Sequence, residues 1–187
     1  MLHFWDESWD LDVKQCPCDV HFVEFLRERK ITDAAIFHFG TGNHHHVGIQ
    51  AATDGSNNAV LGITASPQEY ESYVKLSIEH PDVTRLYKAY FGDIYQLDSR
   101  LLPEFDVVTL FHLCEFRSEA NDSYNALTDL EMAALLVDKL RPGGWLQFYT
   151  GSFRFDRAIP VIAELEKIRP IEKIEEYKSL LTYRKRS

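Results

Sequence analysis

The stretch "AAIFHFGTGNHHHVG", Ala34 to Gly48, constrains the fold of this chain more than any other. The run Ala34 to Phe39 reads as a buried strand, Gly40 and Gly42 as a tight turn, and His44 to Thr53 as a short helix stopped by Gly55. A strand that passes through a glycine turn into a helix is the first half of a parallel βα unit. The backbone N–H groups at such a helix start are free to face a ligand. Three consecutive histidines, His44, His45 and His46, stand where turns of this kind usually hold small residues.

The same alternation continues along the chain. Upstream, "DVHFVEFLRERK" has apolar residues at helical spacing; downstream, "NAVLGI" reads as a second strand. Ser66, Pro67 and Glu69 then predict a helix running to about Glu79, opened by a capping box. "RLYKAYFGD" reads as a third strand, "FDVVTLFHL" as a fourth, and "TDLEMAALLVDKL" as a helix with a second capping box from Thr128 to Glu131. "RPGG" ends that helix and "WLQFYT" is the fifth strand. A helix, "DRAIPVIAELEKI", and two strands close enough to pair as a hairpin, "IEKIEEY" and "SLLTYRKR", complete the chain. Strands alternating with helices, several of them apolar throughout, predict a mainly parallel α/β sheet of seven strands covered on both faces. Ligands bind such sheets beyond the carboxyl ends of the strands, where the strand order reverses. That rule gathers Gly40–His46, Thr64–Ser66, Gly92–Ile94 and His112–Phe116 around one crevice.

Composition sets the outer bounds. A chain of 187 residues, 45% hydrophobic, has enough material for one well-buried core, so residues 1–187 are read as a single domain with an aromatic leader over 1–19. The formal charge of −9 would repel a phosphate backbone, which excludes nucleic acid as the expected partner. No apolar run approaches the roughly 20 residues that span a bilayer, and the acidic start "MLHFWDESWD" does not resemble a signal peptide, so no membrane is expected and the cytoplasm is the expected compartment. Cys16, Cys18 and Cys114 are too few for a disulfide scaffold. "CPC" lacks the second cysteine pair of a zinc-binding pattern, and no metal is expected.

In this order, "FHFGTGNH", "GITAS", "FGDI" and "FDVVTLFHLCEF" followed by "LRPGGWLQFYT" make residues 20–187 resemble the class I S-adenosylmethionine-dependent methyltransferases. The resemblance implies a Rossmann-like fold with a C-terminal antiparallel hairpin, S-adenosylmethionine as cofactor and a small-molecule methyl acceptor. It places the cofactor against His38, Gly40, Thr41, Gly42, His44, Thr64, Asp93 and Ile94. The departures are specific. His38 stands where the family has an acidic residue before its first glycine, His44 replaces the third glycine, and Thr64 occupies the position of the acid that holds the ribose hydroxyls. Each lost charge-assisted hydrogen bond is worth about 1.5–3 kcal/mol, enough to weaken cofactor binding by one to two orders of magnitude. A catalytically silent relative that binds a ligand or a protein partner is therefore the alternative.

Two further features stay open on the sequence. The histidine run reads as ligand-contacting, as part of a metal site, or as plain structure; helical neighbours point about 100 degrees apart and do not converge on one ion. His112, near the transferring methyl in this fold, has the ordinary pKa to take a proton from an acceptor hydroxyl, and also reads as a polar cap of its strand. Tyr149 and Arg154 are candidate acceptor contacts. Phe4, Trp5 and Trp9 read either as a lid over the site or as packing against the sheet edge.

Overall fold

The computed structural model describes the whole chain, Met1–Ser187. Seven strands form one sheet: β1 (Ala35–Phe39), β2 (Ala59–Thr64), β3 (Tyr87–Phe91), β4 (Phe105–Thr109), β5 (Leu140–Tyr149), β6 (Ile171–Tyr177) and β7 (Leu180–Lys185). Their order is β3-β2-β1-β4-β5-β7-β6. The first five are parallel; β7 runs antiparallel to both β5 and β6. The expected α/β architecture with its terminal hairpin is present, and the order reverses between β1 and β4.

Helices α1 (Cys18–Glu28), α2 (His46–Thr53), α3 (Pro67–Glu79) and the short α4 (Val83–Leu86) belong to one side; the short α5 (Glu119–Asp122) meets Asp93 through Asn121, and α6 (Asp129–Lys139) and α7 (Phe155–Ile168) belong to the other side. Strand side chains alternate between the two. Ile36 and Val107 pack with Phe22, Val47 and Tyr87, while Phe37 and Val108 pack with Phe105, Leu136 and Leu146. Each fully buried side chain of this size stabilises the fold by about 1.5–3 kcal/mol, so both faces are sealed by burial rather than by helix propensity.

Several boundaries differ from the sequence reading, each for a local reason. His45 adopts a left-handed conformation with φ 47°, so α2 starts at His46 instead of His44. Residues 83–86 make a helical turn before β3, which begins at Tyr87. Strand β4 stops at Thr109, which puts His112 in the turn beyond it. "RPGG" does not separate α6 from β5: Leu140 already pairs with Phe105, and the ladder resumes at Trp145 opposite Val107, so residues 141–144 are a bulge within β5. The capping box at Thr128 and Glu131 forms in both directions. At Ser66 only half of it forms, because the Glu69 side chain turns elsewhere.

Candidate functional site

A cavity of about 620 Å³ opens beyond the carboxyl ends of the parallel strands, at the β1/β4 reversal. Its floor is the glycine turn. Gly40 (φ 86°) and Gly42 (φ 56°) are left-handed, a conformation that side chains resist. Imidazoles lie directly over both. A Cβ on Gly40 would stand 3.2 Å from Cδ2 of His112, and one on Gly42 would stand 2.3 Å from Nε2 of His44. The third glycine of the usual turn has a counterpart one helical turn into α2, where a Cβ on Gly48 would meet the Tyr87 ring at 2.3 Å. The close helix-to-strand packing that a turn glycine provides is supplied there.

The two positions that lack an acid each have a carboxylate beside them. Asp19, at the start of α1, is buried against the end of β1, with its carboxylate 3.6 Å from Nε2 of His38 and 3.9 Å from Nδ1 of His44. Burial works against the Asp19 anion, but His38, His44 and His112 outweigh it and hold the carboxyl below its usual range. His38 itself is 2% exposed and shares a 2.8 Å hydrogen bond with Thr109 through Nδ1. At the end of β2, Thr64 donates to Glu69 of α3 at 2.6 Å, and the Thr41 hydroxyl donates to the same carboxylate at 3.5 Å. Burial raises the Glu69 carboxyl, an effect opposed by Thr64, the Trp9 N–H and Thr41. Asp93, after β3, caps a 3-10 turn by accepting from the N–H of Tyr95 and also accepts from Asn121 at 2.8 Å and Tyr124 at 2.6 Å. Ile94 is buried beside it and lines the cavity.

The aromatic leader crosses this opening. The Trp5 N–H donates to the Ala65 carbonyl, the Asn43 N–H donates to the Trp9 carbonyl, and the Ser66 hydroxyl donates to the Glu7 carbonyl. Trp5 and Trp9 both meet the ring of Phe116 edge-on, at 5.2 and 5.5 Å. Of the two readings, the lid describes the placement of Trp5 and Trp9, which line the cavity, while Phe4 is exposed and does not line it. Tyr149 donates to the Gln15 carbonyl, and with Arg154 it lines the far wall.

The histidine run divides three ways. His44 faces the cavity and accepts from the N–H of His46 through Nδ1. His45 is buried, 2.8 Å from the Tyr87 hydroxyl, and burial pulls its pKa down to about 4. His46 begins α2.

The opposite wall holds a denser cluster. The Sγ atoms of Cys16 and Cys18 are 3.4 Å apart, and with a ring nitrogen of His112 all three ligand atoms lie within 4.8 Å of one another. Nδ1 of His112 is 2.9 Å from the Glu115 carboxylate, which also accepts from the N–H of Phe153 at 2.9 Å and from the Ser152 hydroxyl. Contact with Cys18 lowers the Cys16 thiol, burial opposes this, and His112 reinforces it, leaving Cys16 at about 5. Burial alone would lower His112, but Cys16 and Glu115 prevail and bring it to about 10. Cys16 and His112 thus shift each other, the thiol downwards and the imidazole upwards.

The comparisons with known proteins agree on the framework. A rRNA methylase from Streptococcus thermophilus superposes with a TM-score of 0.61 at 15% identity, over 89% of this chain and 95% of that one. The N-methyltransferase NodS from Bradyrhizobium japonicum WM9, in complex with S-adenosyl-l-homocysteine, gives 0.56 at 14% identity over 87% and 88%. The chain carries the class I methyltransferase fold. The [4+2]-cyclase SpnF shares it, with a TM-score of 0.59 at 14% identity over 93% of this chain and 65% of the cyclase. Against two further methyltransferases of this fold, the chain spans 51% and 38% of their lengths. No family model and no curated protein sequence matches the chain.

The glycine turn, Thr64, Asp93 and His112, singled out on the sequence, all line or flank one cavity. Sequence reasoning missed Asp19 and Glu69 as site residues and set aside Cys16 and Cys18. The one available signal was Glu69, an acid five residues after Thr64, which a capping role accounted for.

Proposed function

We propose that the chain is an S-adenosylmethionine-dependent methyltransferase acting on a small molecule. The observation that carries this reading is the pair of carboxylates, Asp19 and Glu69, buried beside the two positions where the sequence lacks an acid, in a cavity on the glycine turn. The cofactor's sulfonium and ammonium groups are cations. The cavity wall includes Asp19, Glu69, Asp93 and Glu115, and its one Lys or Arg is Arg154. Glu69, held by Thr64 and Thr41, is the carboxylate we assign to the ribose hydroxyls, and Asp19 the one we assign to the methionine end through His44. S-adenosyl-l-homocysteine is bound in NodS, a neighbour of this fold.

Methyl transfer is a direct displacement. S-adenosylmethionine, when bound, would supply an activated methyl group on sulfur to the lone pair of the acceptor. The protein has mainly to align the partners and keep water out, tasks that suit the leader. His112 has a changed role in this reading. Its Nδ1 is committed to Glu115 and its ring contacts Cys16, so it is not a free base. An acceptor that attacks without losing a proton first, a thiolate or an amine lone pair, suits this wall better than a hydroxyl. The charge of −9 argues against RNA as acceptor, although one neighbour is a rRNA methylase.

One observation favours the second reading, a binding protein without methyl transfer. Both Asp93 oxygens are already engaged, by Tyr95, Asn121 and Tyr124, and the fold is shared with a protein named as a cyclase. Calorimetric titration with S-adenosylmethionine and S-adenosylhomocysteine separates the two. The methyltransferase reading expects heat from both ligands. No heat and no thermal shift at millimolar ligand would leave only the second reading.

A further inference from the structure

We propose that Cys16, Cys18 and His112 bind one zinc-class divalent cation, with Glu115 orienting the imidazole and the fourth coordination position open to the cavity. The inference does not depend on the cofactor reading, because it rests on the cluster of Cys16, Cys18 and His112 and is tested by metal binding, without methyl transfer.

Geometry comes first. Tetrahedral zinc with Zn–S bonds of about 2.3 Å holds its two sulfurs about 3.8 Å apart. The Cys16 and Cys18 sulfurs stand at 3.4 Å, so a shift of a few tenths of an ångström accommodates the ion. The His112 ring is already oriented for it. Nδ1 is committed to Glu115, which leaves Nε2, on the ring edge that overlies Gly40, as the ligand atom. A carboxylate behind a metal-binding histidine fixes the tautomer and strengthens the donor. Glu115 is itself held by the Phe153 N–H and the Ser152 hydroxyl, so this support is built in rather than fortuitous.

Ligand chemistry selects the ion. Two thiolates and an imidazole favour zinc over magnesium or calcium, which take oxygen ligands. The Cys18 thiol donates to Asp19 at 3.6 Å and Glu115 backs the histidine, so carboxylates stand behind two of the three ligands. Three protein ligands with an open fourth position are the pattern of reactive rather than purely structural zinc. The fourth position faces the cavity that Cys16, Cys18 and His112 all line, where water or the thiolate of a small substrate can occupy it.

The site also has a mechanical consequence. Cys16 belongs to the leader, Cys18 is the first residue of α1, and His112 lies in the turn after β4. One ion would clasp the lid to the sheet.

Cobalt(II) is the probe, added to the full-length, chelator-stripped chain under reducing conditions. One ion per chain should bind, with thiolate-to-cobalt charge-transfer absorption, and zinc should displace it and protect Cys16 and Cys18 from thiol labelling. Cys16→Ser or Cys18→Ser should abolish the absorption, and Cys114→Ser should leave it intact. Should the cysteine variants fail to fold by circular dichroism, Glu115→Gln tests the same site. It keeps both thiols and should weaken binding about 10- to 100-fold. Absence of charge-transfer absorption in the wild type, equal uptake by folded Cys16→Ser, or labelling of Cys16 unaffected by zinc would each overturn the proposal. Rapid labelling without zinc protection would mark Cys16 as a nucleophile activated by His112 instead.

Discussion

His45 and His112 stand on either side of the same glycine turn and have opposite chemistry. His45 lies under the turn, with Tyr73 and Tyr87 around it, and burial brings its pKa down to about 4. His112 lies over the turn, between Cys16 and Glu115, and its pKa is up to about 10. Both feel burial. What differs is the contacts: His45 meets a tyrosine hydroxyl, whereas His112 meets the Cys16 thiol and the Glu115 carboxylate, which outweigh desolvation. The same contrast holds for the two walls. On the Thr64 wall polar groups satisfy one another, hydroxyl to Glu69 and hydroxyl or amide to Asp93. On the Cys16 wall, donor atoms crowd together with the same point in view.

The largest expected effect breaks the balance of the first wall. Thr64→Asp would supply the acid that the resemblance calls for, and on sequence grounds it should strengthen cofactor binding. The structure sets a stability cost against it, because the new carboxylate would face Glu69, which accepts from Thr64 at 2.6 Å and is 3% exposed. An uncompensated charge at a buried site costs about 4 kcal/mol. Chemical denaturation of Thr64→Asp should show that loss, and adding Glu69→Gln should recover most of it. Wild-type stability in the single variant would mean that the two side chains do not face each other.

A somewhat smaller effect concerns acid. His45 has a folded pKa of about 4 against 6.5 when free, so its contribution is present above pH 6.5 and is lost as pH falls through about 4. Full loss amounts to about 3 kcal/mol. Glu69 is raised above 4.5 and works in the opposite sense, losing stability as pH rises from 4.5 towards its folded pKa. His45→Asn keeps a residue that tolerates the left-handed backbone and removes the imidazole. Stability measured from pH 7 to pH 4 should fall less steeply in the variant; identical profiles would place the acid sensitivity elsewhere.

The smallest effect sharpens the comparison without disturbing the fold. Glu69→Gln still accepts from Thr64 but removes the charge, and should weaken S-adenosylhomocysteine binding about tenfold, or about 1.4 kcal/mol. Unchanged affinity by calorimetry would deny Glu69 its assigned part.

What was legible in the sequence followed from local chemistry. The alternation of apolar strands and amphipathic helices gives the sheet, the Thr128–Glu131 box marks a helix start, and Gly40 and Gly42 mark the turn. What stayed hidden depended on contacts between distant segments. Asp19 reaches the end of β1 only because α1 packs beneath it, and "CPC" gains a third ligand only when the turn after β4 brings His112 alongside. Glu69 was misassigned for a different reason: its side chain can reach either the helix N-terminus or Thr64, and the buried hydroxyl is the stronger partner.

The most direct test of the central claim, that this cavity holds the cofactor, is a crystal structure of the chain with S-adenosylhomocysteine. The account predicts the ligand on the glycine turn, with its ribose hydroxyls directed at Glu69 and its amino-acid end towards Asp19 and His44. An empty cavity at saturating ligand, or a ligand bound away from Gly40 and Gly42 with the Thr64–Glu69 pair untouched, would contradict it.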